Sequence, residues 1–258
     1  MNSLTPYTIY VEGDNDVNIL KRWFPHLPFL KAGGKDRVRK EVKPQSKNWG
    51  ILDRDFADDT IVEASRQPAN RLVLLKRYCI ENYLMEPALI AAVANSFSST
   101  APELTKWADE ETIERQLITW ADELALYAAA NALIAQWHEV IEDDFLKYWT
   151  DLPPVSRETV IKALRTRLQR VPRLPRSEEI EEKLNTQHAQ IVQDIKTWDG
   201  LHRWINGKVL LEKYLLPQVF AQVRGFSKDR LRDELIKAGE SSIPTELVQL
   251  AQQCMVLP

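Results

Sequence analysis

Acidic residues at two strand-like exits are the parts of this 258-residue sequence best suited to chemistry. Glu12 closes the β-branched and aromatic run Tyr7–Val11 in VEGDND, and Asp53 and Asp55 close the apolar run Trp49–Leu52 in ILDRD. Ligands of open parallel sheets bind outside the carboxyl ends of the strands, so these three carboxylates are expected to meet. Side chains alternate along a strand, and two aspartates two residues apart are expected to face one ion together. Gly13 lets the chain turn tightly after Glu12. Acids gathered without a counter-ion repel and raise one another's pKa, which makes a divalent cation their natural partner. Mg²⁺, or Mn²⁺ in its place, fits, because Mg²⁺ takes oxygen ligands and is usually held by one or two carboxylates with substrate phosphates. Two such ions about 3.5 to 4 Å apart would activate a water and stabilise the leaving oxygen of an in-line displacement at phosphorus. Each fragment alone has an ordinary structural use: Asp53 and Asp55 as helix caps, Asp16 as a complement to its helix dipole. Their order along the chain is what ties them together.

The elements that must position these acids follow from hydrophobic periodicity. After the first strand, Asp14 is the expected N-cap of a helix whose Val17, Leu20, Trp23 and Phe24 recur at helical spacing until Pro25. Phe29 and Leu30 suggest a second strand, followed by Ala32-Gly33-Gly34 and the basic stretch KDRVRKEVK. Leu72–Leu75 reads as a buried strand leading through CIENYL to a helix from about Pro87 to Asn95. Strands alternating with helices predict an α/β domain over residues 1–98, with a mostly parallel sheet flanked by helices. From Asp109 to Lys147 there is no Gly or Pro, and Ile113, Leu117, Trp120, Leu124, Tyr127, Leu133, Trp137 and Ile141 trace one amphipathic face. Pro153-Pro154 breaks this pattern, and helices are expected at about 156–171, 178–198 and over most of 208–253. Residues 99–258 are therefore expected to form an all-helical domain whose last helices can pack back on the sheet.

The fragments YVEGDNDVNIL, KAGGKDRV, GILDRDF and YCIENYL, with WINGKVLL far downstream, together resemble the Toprim fold. The resemblance is to a Toprim-like family of unknown function related to the overcoming-lysogenization-defect (OLD) nucleases. It implies that Glu12 is the Toprim glutamate, that Asp53 and Asp55 form the metal-binding DxD pair, and that Glu81 of IENYL belongs to the metal-proximal acids. Asp16 falls where OLD nucleases usually carry a second glutamate, a departure that draws a ligand back by one methylene. Lys208 of INGK resembles the lysine these nucleases use beside the metal, where its charge would stabilise a pentavalent phosphate. The implied activity is that of a Mg²⁺-dependent endonuclease acting on DNA or RNA. Relatives of this kind act in anti-phage defence with an ABC-type ATPase, and the layout is similar to the tRNA-cleaving Toprim effectors of the PARIS system. No ATPase motif occurs in this chain, so a separate ATPase is the expected partner. A homodimer is also compatible with the apolar helical faces. The alternative is a non-catalytic Toprim-like module that binds a metal or phosphate for regulation; a primase- or topoisomerase-like role lacks its zinc module and tyrosine-bearing domain.

A net charge of -3 and a pI near 5.9 do not advertise a nucleic-acid binder. The distribution is more telling: KALRTRLQRVPRLPR, Lys162 to Arg176, contains no acid, and Arg165, Arg167 and Arg170 are candidate phosphate contacts there. The competing use of that stripe is a solvated helix face paired with SEEIEEK just after it. Lys35 and Arg37 of GGKDRV are further candidate contacts, although the loop lacks a full phosphate-binding fingerprint. Cys79 and Cys254 are too few for a disulfide framework, and His26, His138, His188 and His202 lack zinc-site spacing. With no signal-peptide pattern and no apolar run read as long enough to span a bilayer, the expectation is a cytoplasmic protein without membrane contact.

Overall fold

The computed structural model describes residues 7–43, 46–136, 156–168 and 177–256. Four short strands, β1 (Ile9–Val11), β2 (Phe29–Lys31), β3 (Trp49–Leu52) and β4 (Leu72–Leu74), form an all-parallel sheet in the order β2-β1-β3-β4. All four residues of β3 are buried, as a central strand covered on both faces requires. The chain leaves β1 to one side to make β2 and then crosses to the other side of β1 to make β3. The β1–β3 boundary is therefore a topological switch point, where a crevice opens at the carboxyl ends.

Three helices connect the strands: α1 (Asp14–Trp23), α2 (Lys35–Glu41) and α3 (Asp59–Ser65). Gly13, not Asp14, is the N-cap of α1; Asp14 is its first helical residue. The missing side chain at the cap is compensated by Asp16, whose Oδ2 accepts from the Gly13 amide at 2.8 Å. After β4, residues Ile80–Leu84 form a 3₁₀ helix, and α4 (Pro87–Phe97) starts with proline at its first turn.

The helical part is built on α5 (Glu110–Gln136), which packs against α4, α6 (Arg157–Leu168), α7 (Ser177–Asp194) and α8 (Trp198–Trp204). Its expected apolar face is buried, and so are Ala125, Ala128, Ala129, Ala130 and Ala132, whose small side chains let neighbours approach on other faces as well. Trp137, Ile141, His138 and Pro153-Pro154 lie outside the described residues. By length and composition alone α5, with a window of mean hydropathy 1.2, is a helix that could cross a bilayer, although no run of that kind was expected from the sequence. Of that window 72% is buried inside the fold, as in the core helix of a packed bundle. The short α9 (Gly207–Val209) runs into a π-helical stretch, Leu210–Phe220, followed by α10 (Lys228–Gly239) and α11 (Thr245–Val256).

The C-terminal helices return to the N-terminal unit. α10 lies against α1 and α4, and the Trp23 indole donates to the Ile236 carbonyl at 3.0 Å. α11 supplies Glu246, which accepts from Arg66, the Lys76 amide and the Tyr83 hydroxyl. One apolar core runs through both parts, from Ile9 and Val11 in the sheet to Tyr214 and Phe220.

Candidate functional site

The cleft at the switch point, about 420 Å³, draws its lining from segments far apart in sequence. Glu12 follows β1, Asp16 lies on the first turn of α1, Asp53 follows β3 and Glu81 sits in the 3₁₀ helix after β4. Each carboxylate is fixed through one oxygen by an N–H donor. The Asp53 amide donates to Glu12 Oε1 at 2.8 Å, and the Gly13 amide donates to Asp16 Oδ2 at 2.8 Å. The Ile80 amide donates to Asp53 Oδ1 at 3.2 Å, and Asn15 Nδ2 donates to Glu81 Oε1 at 2.8 Å. Such anchoring restricts rotation and spares the second oxygen of each group for a ligand.

The electrostatics record the convergence. Burial raises the pKa of Asp16 to about 7, helped by Glu81 and Glu12. Burial pushes Asp53 well up, with Asp16, Glu12, Asp55 and Glu81 adding to it. Glu12 is raised by burial as well, against the lowering effect of Lys35. The Cys79 thiol, which also faces the cleft, is held protonated by burial and by the nearby Glu81 and Asp53.

Asp55 is not among the residues that line this cleft. The chain turns into left-handed backbone there (φ 48°), past the end of β3, so strand alternation does not govern where its side chain points. Its carboxylate is hydrogen-bonded to Lys35, and it lines a separate cavity on the side of Phe56 and Trp204. Lys35 also donates to the Asp53 carbonyl at 3.0 Å and stands 3.9 Å from Glu12 Oε1, so its charge is spent inside the acid group. The two glycines before it explain its place. Gly33 and Gly34 both have positive φ, and both amides donate to the Glu12 carbonyl at 3.0 Å, which folds the loop over the end of β1.

Lys208 reaches the same cleft across more than a hundred residues of sequence and is exposed at its rim. The asparagines that organise the site, Asn15, Asn82 and Asn206, were all inside fragments singled out for their charged residues. Neutral amides have no metal-ligand signature, which is why only their place within EGDND, IENYL and INGK could have marked them. Arg37 is exposed on α2. On α6, Arg165 is paired with Glu181 of SEEIEEK, the use that competed with phosphate binding, and Arg167 shares that helix. Arg170 lies outside the described residues. His202 is buried, and burial with the nearby Arg77 keeps it neutral.

Among the described residues, no three His, Cys, Asp or Glu side chains stand close enough to form a ready-made metal cage. The acids share a cleft and feel one another's charge. This donor set fits a hard divalent cation that retains waters and takes one or two carboxylates directly, and does not fit a closed structural site. No protein-family model and no curated protein matches the chain.

Proposed function

We propose that this cleft binds Mg²⁺ or Mn²⁺ and hydrolyses phosphodiester bonds of DNA or RNA, as the resemblance to Toprim-like relatives of OLD nucleases implies. The observation that carries the reading is the convergence of Glu12, Asp16, Asp53 and Glu81 from four segments at the switch point of a parallel sheet, with Lys208 at the rim. One or two of those four carboxylates would hold the cation directly and the others through its waters, and the bound cation would supply positive charge and a more acidic water. The chain's own groups do the rest. Asn15 and three backbone amides fix the carboxylates in orientation. Glu12, with its proton affinity raised, is suited to accept a proton from water. The Lys208 ammonium offers a fixed positive charge where negative charge grows on the phosphate. Lys35 offsets Asp55 and limits repulsion within the acid group. A separate ABC-type ATPase partner and a role in anti-phage defence are part of the same proposal.

A second reading is a regulatory module that binds cation or phosphate without turnover, for which the same acids and Lys208 at the rim of the cleft would suffice. One experiment separates the two. Plasmid, single-stranded DNA and total tRNA are incubated with the purified chain and Mg²⁺, Mn²⁺ or EDTA, beside Asp53→Ala. Metal-dependent cleavage lost in the variant supports the nuclease; cation binding without cleavage, with or without an added ATPase, supports the regulatory module.

A further inference from the structure

The loop that carries Lys208 is locked to the acid cleft by one buried side chain. Asn82, fully buried in the 3₁₀ helix beside Glu81, turns its Oδ1 toward two backbone donors, the Cys79 amide at 3.1 Å and the Gly207 amide at 2.9 Å. Its Nδ2 donates to the Ile205 carbonyl at 2.8 Å and faces His202 Nδ1 at 3.3 Å. Because both sides of the carboxamide are engaged, its orientation is fixed. Gly207 fits against it with no room to spare: a Cβ there would lie 2.5 Å from the Asn82 amide nitrogen and 2.8 Å from its Cα. Asn206 Oδ1 then caps the next turn, accepting from the Lys208 amide at 3.0 Å and the Val209 amide at 3.3 Å.

We infer that Asn82, with the close backbone approach at Gly207, is a positioning device that seats Lys208 over the carboxylate cleft. The inference rests on the nuclease reading for its consequence in catalysis, but its structural part stands separately. Asn82 reaches the loop on both sides of Asn206 and ties it to the same short helix that carries Glu81. A loop held at one point could pivot; one held at Ile205 and at Gly207 has its following residue placed. The donors that anchor the four carboxylates, the Asn15 side chain and the Gly13, Asp53 and Ile80 amides, belong to neither Asn82 nor Gly207, so releasing the clasp removes none of them.

The test uses Asn82→Ser and Gly207→Ala, with circular dichroism and thermal melting to establish folding. Hydrogen exchange comes first and needs no activity. Faster exchange at the Gly207, Lys208 and Val209 amides, with β1 and β3 unchanged, is the expected result; unchanged exchange in both variants overturns the inference. Cleavage in Mn²⁺ then gives a double-mutant cycle with Lys208→Ala. Each folded clasp variant is expected to lower kcat at least about tenfold, toward the Lys208→Ala value, and to add little when combined with it. Mn²⁺ affinity by calorimetry should stay within about twofold of wild type, a result that loss of the cleft's structure would not give. Multiplicative losses in the cycle, or full activity in a released loop, overturn the positioning role. If Asp53→Ala leaves cleavage intact, the nuclease reading fails by that separate criterion, and exchange still decides whether the clasp exists.

Discussion

At the scale of single residues, the cleft buries its acids and sets them near enough to raise one another's pKa further. Asp16, raised to about 7, shows this most directly. A carboxyl whose pKa is higher folded than unfolded contributes stability that is fully present below its unfolded value and lost as pH rises through the folded one. Metal-free protein is therefore expected to lose stability between about pH 4 and 7 from this group. Asp16→Asn removes that loss: its melting temperature at pH 7.5 in EDTA should exceed wild type by roughly 5 °C, with the gap closing toward pH 4. An Asp16→Asn melt lower than wild type at pH 7.5 would show that Asp16 is not under strain. Asn15 makes a complementary case, since its side chain anchors Glu81 from the neighbouring helix. Asn15→Ala should weaken Mn²⁺ binding about tenfold by calorimetry, the usual cost of losing a group that orients a ligand. Glu12 and Asp53 were legible in the sequence because strand ends can be found from apolar runs, whereas Asp16 and Glu81 entered only through the resemblance of their fragments. The divergence of Asp55 from Asp53 was not, because it depends on a left-handed residue that the dipeptide spacing does not reveal.

At the scale of elements, the sheet is short, and its central strand is packed without slack. Gly50 in β3 has Leu72 Cδ1 and Val38 Cγ1 each 2.7 Å from the place a Cβ would occupy, so this glycine lets α2 and β4 close on the strand that delivers Asp53. Gly50→Ala should cost about 1–3 kcal/mol in urea unfolding with an unchanged m-value, the range for overpacking a filled core. No measurable loss would mean that the sheet has room that these contacts deny. The strands and most helices were readable from hydrophobic periodicity, down to a first strand ending before Glu12 and a third ending before Asp53. The seating of α9 on the 3₁₀ helix was not, since its links are neutral side chains and backbone groups 125 residues apart, such as Asn82 and Gly207. Nothing in local spacing reports such a pairing.

At the scale of the whole molecule, the last helix ties the helical part to the segments that flank β4. Glu246 of α11 is mostly buried and accepts from Arg66 at 2.9 Å, from the Lys76 amide at 2.8 Å and from Tyr83. Removing it strands those donors and leaves Arg66 without its carboxylate, with only the Leu74 carbonyl still accepting from it, so Glu246→Ala should destabilise the fold by about 3–5 kcal/mol in chemical denaturation. A change below about 0.5 kcal/mol would place this link among weak surface pairs. The whole arrangement serves one claim, that the cleft between β1 and β3 is a divalent-cation site. Calorimetric titration of Mn²⁺ into EDTA-treated protein tests it most directly, with Asp53→Ala as the comparison. Saturable binding by the wild-type chain is expected, abolished or weakened at least about tenfold in Asp53→Ala; equal binding by the two proteins, or none by the folded wild type, would contradict a cation site there.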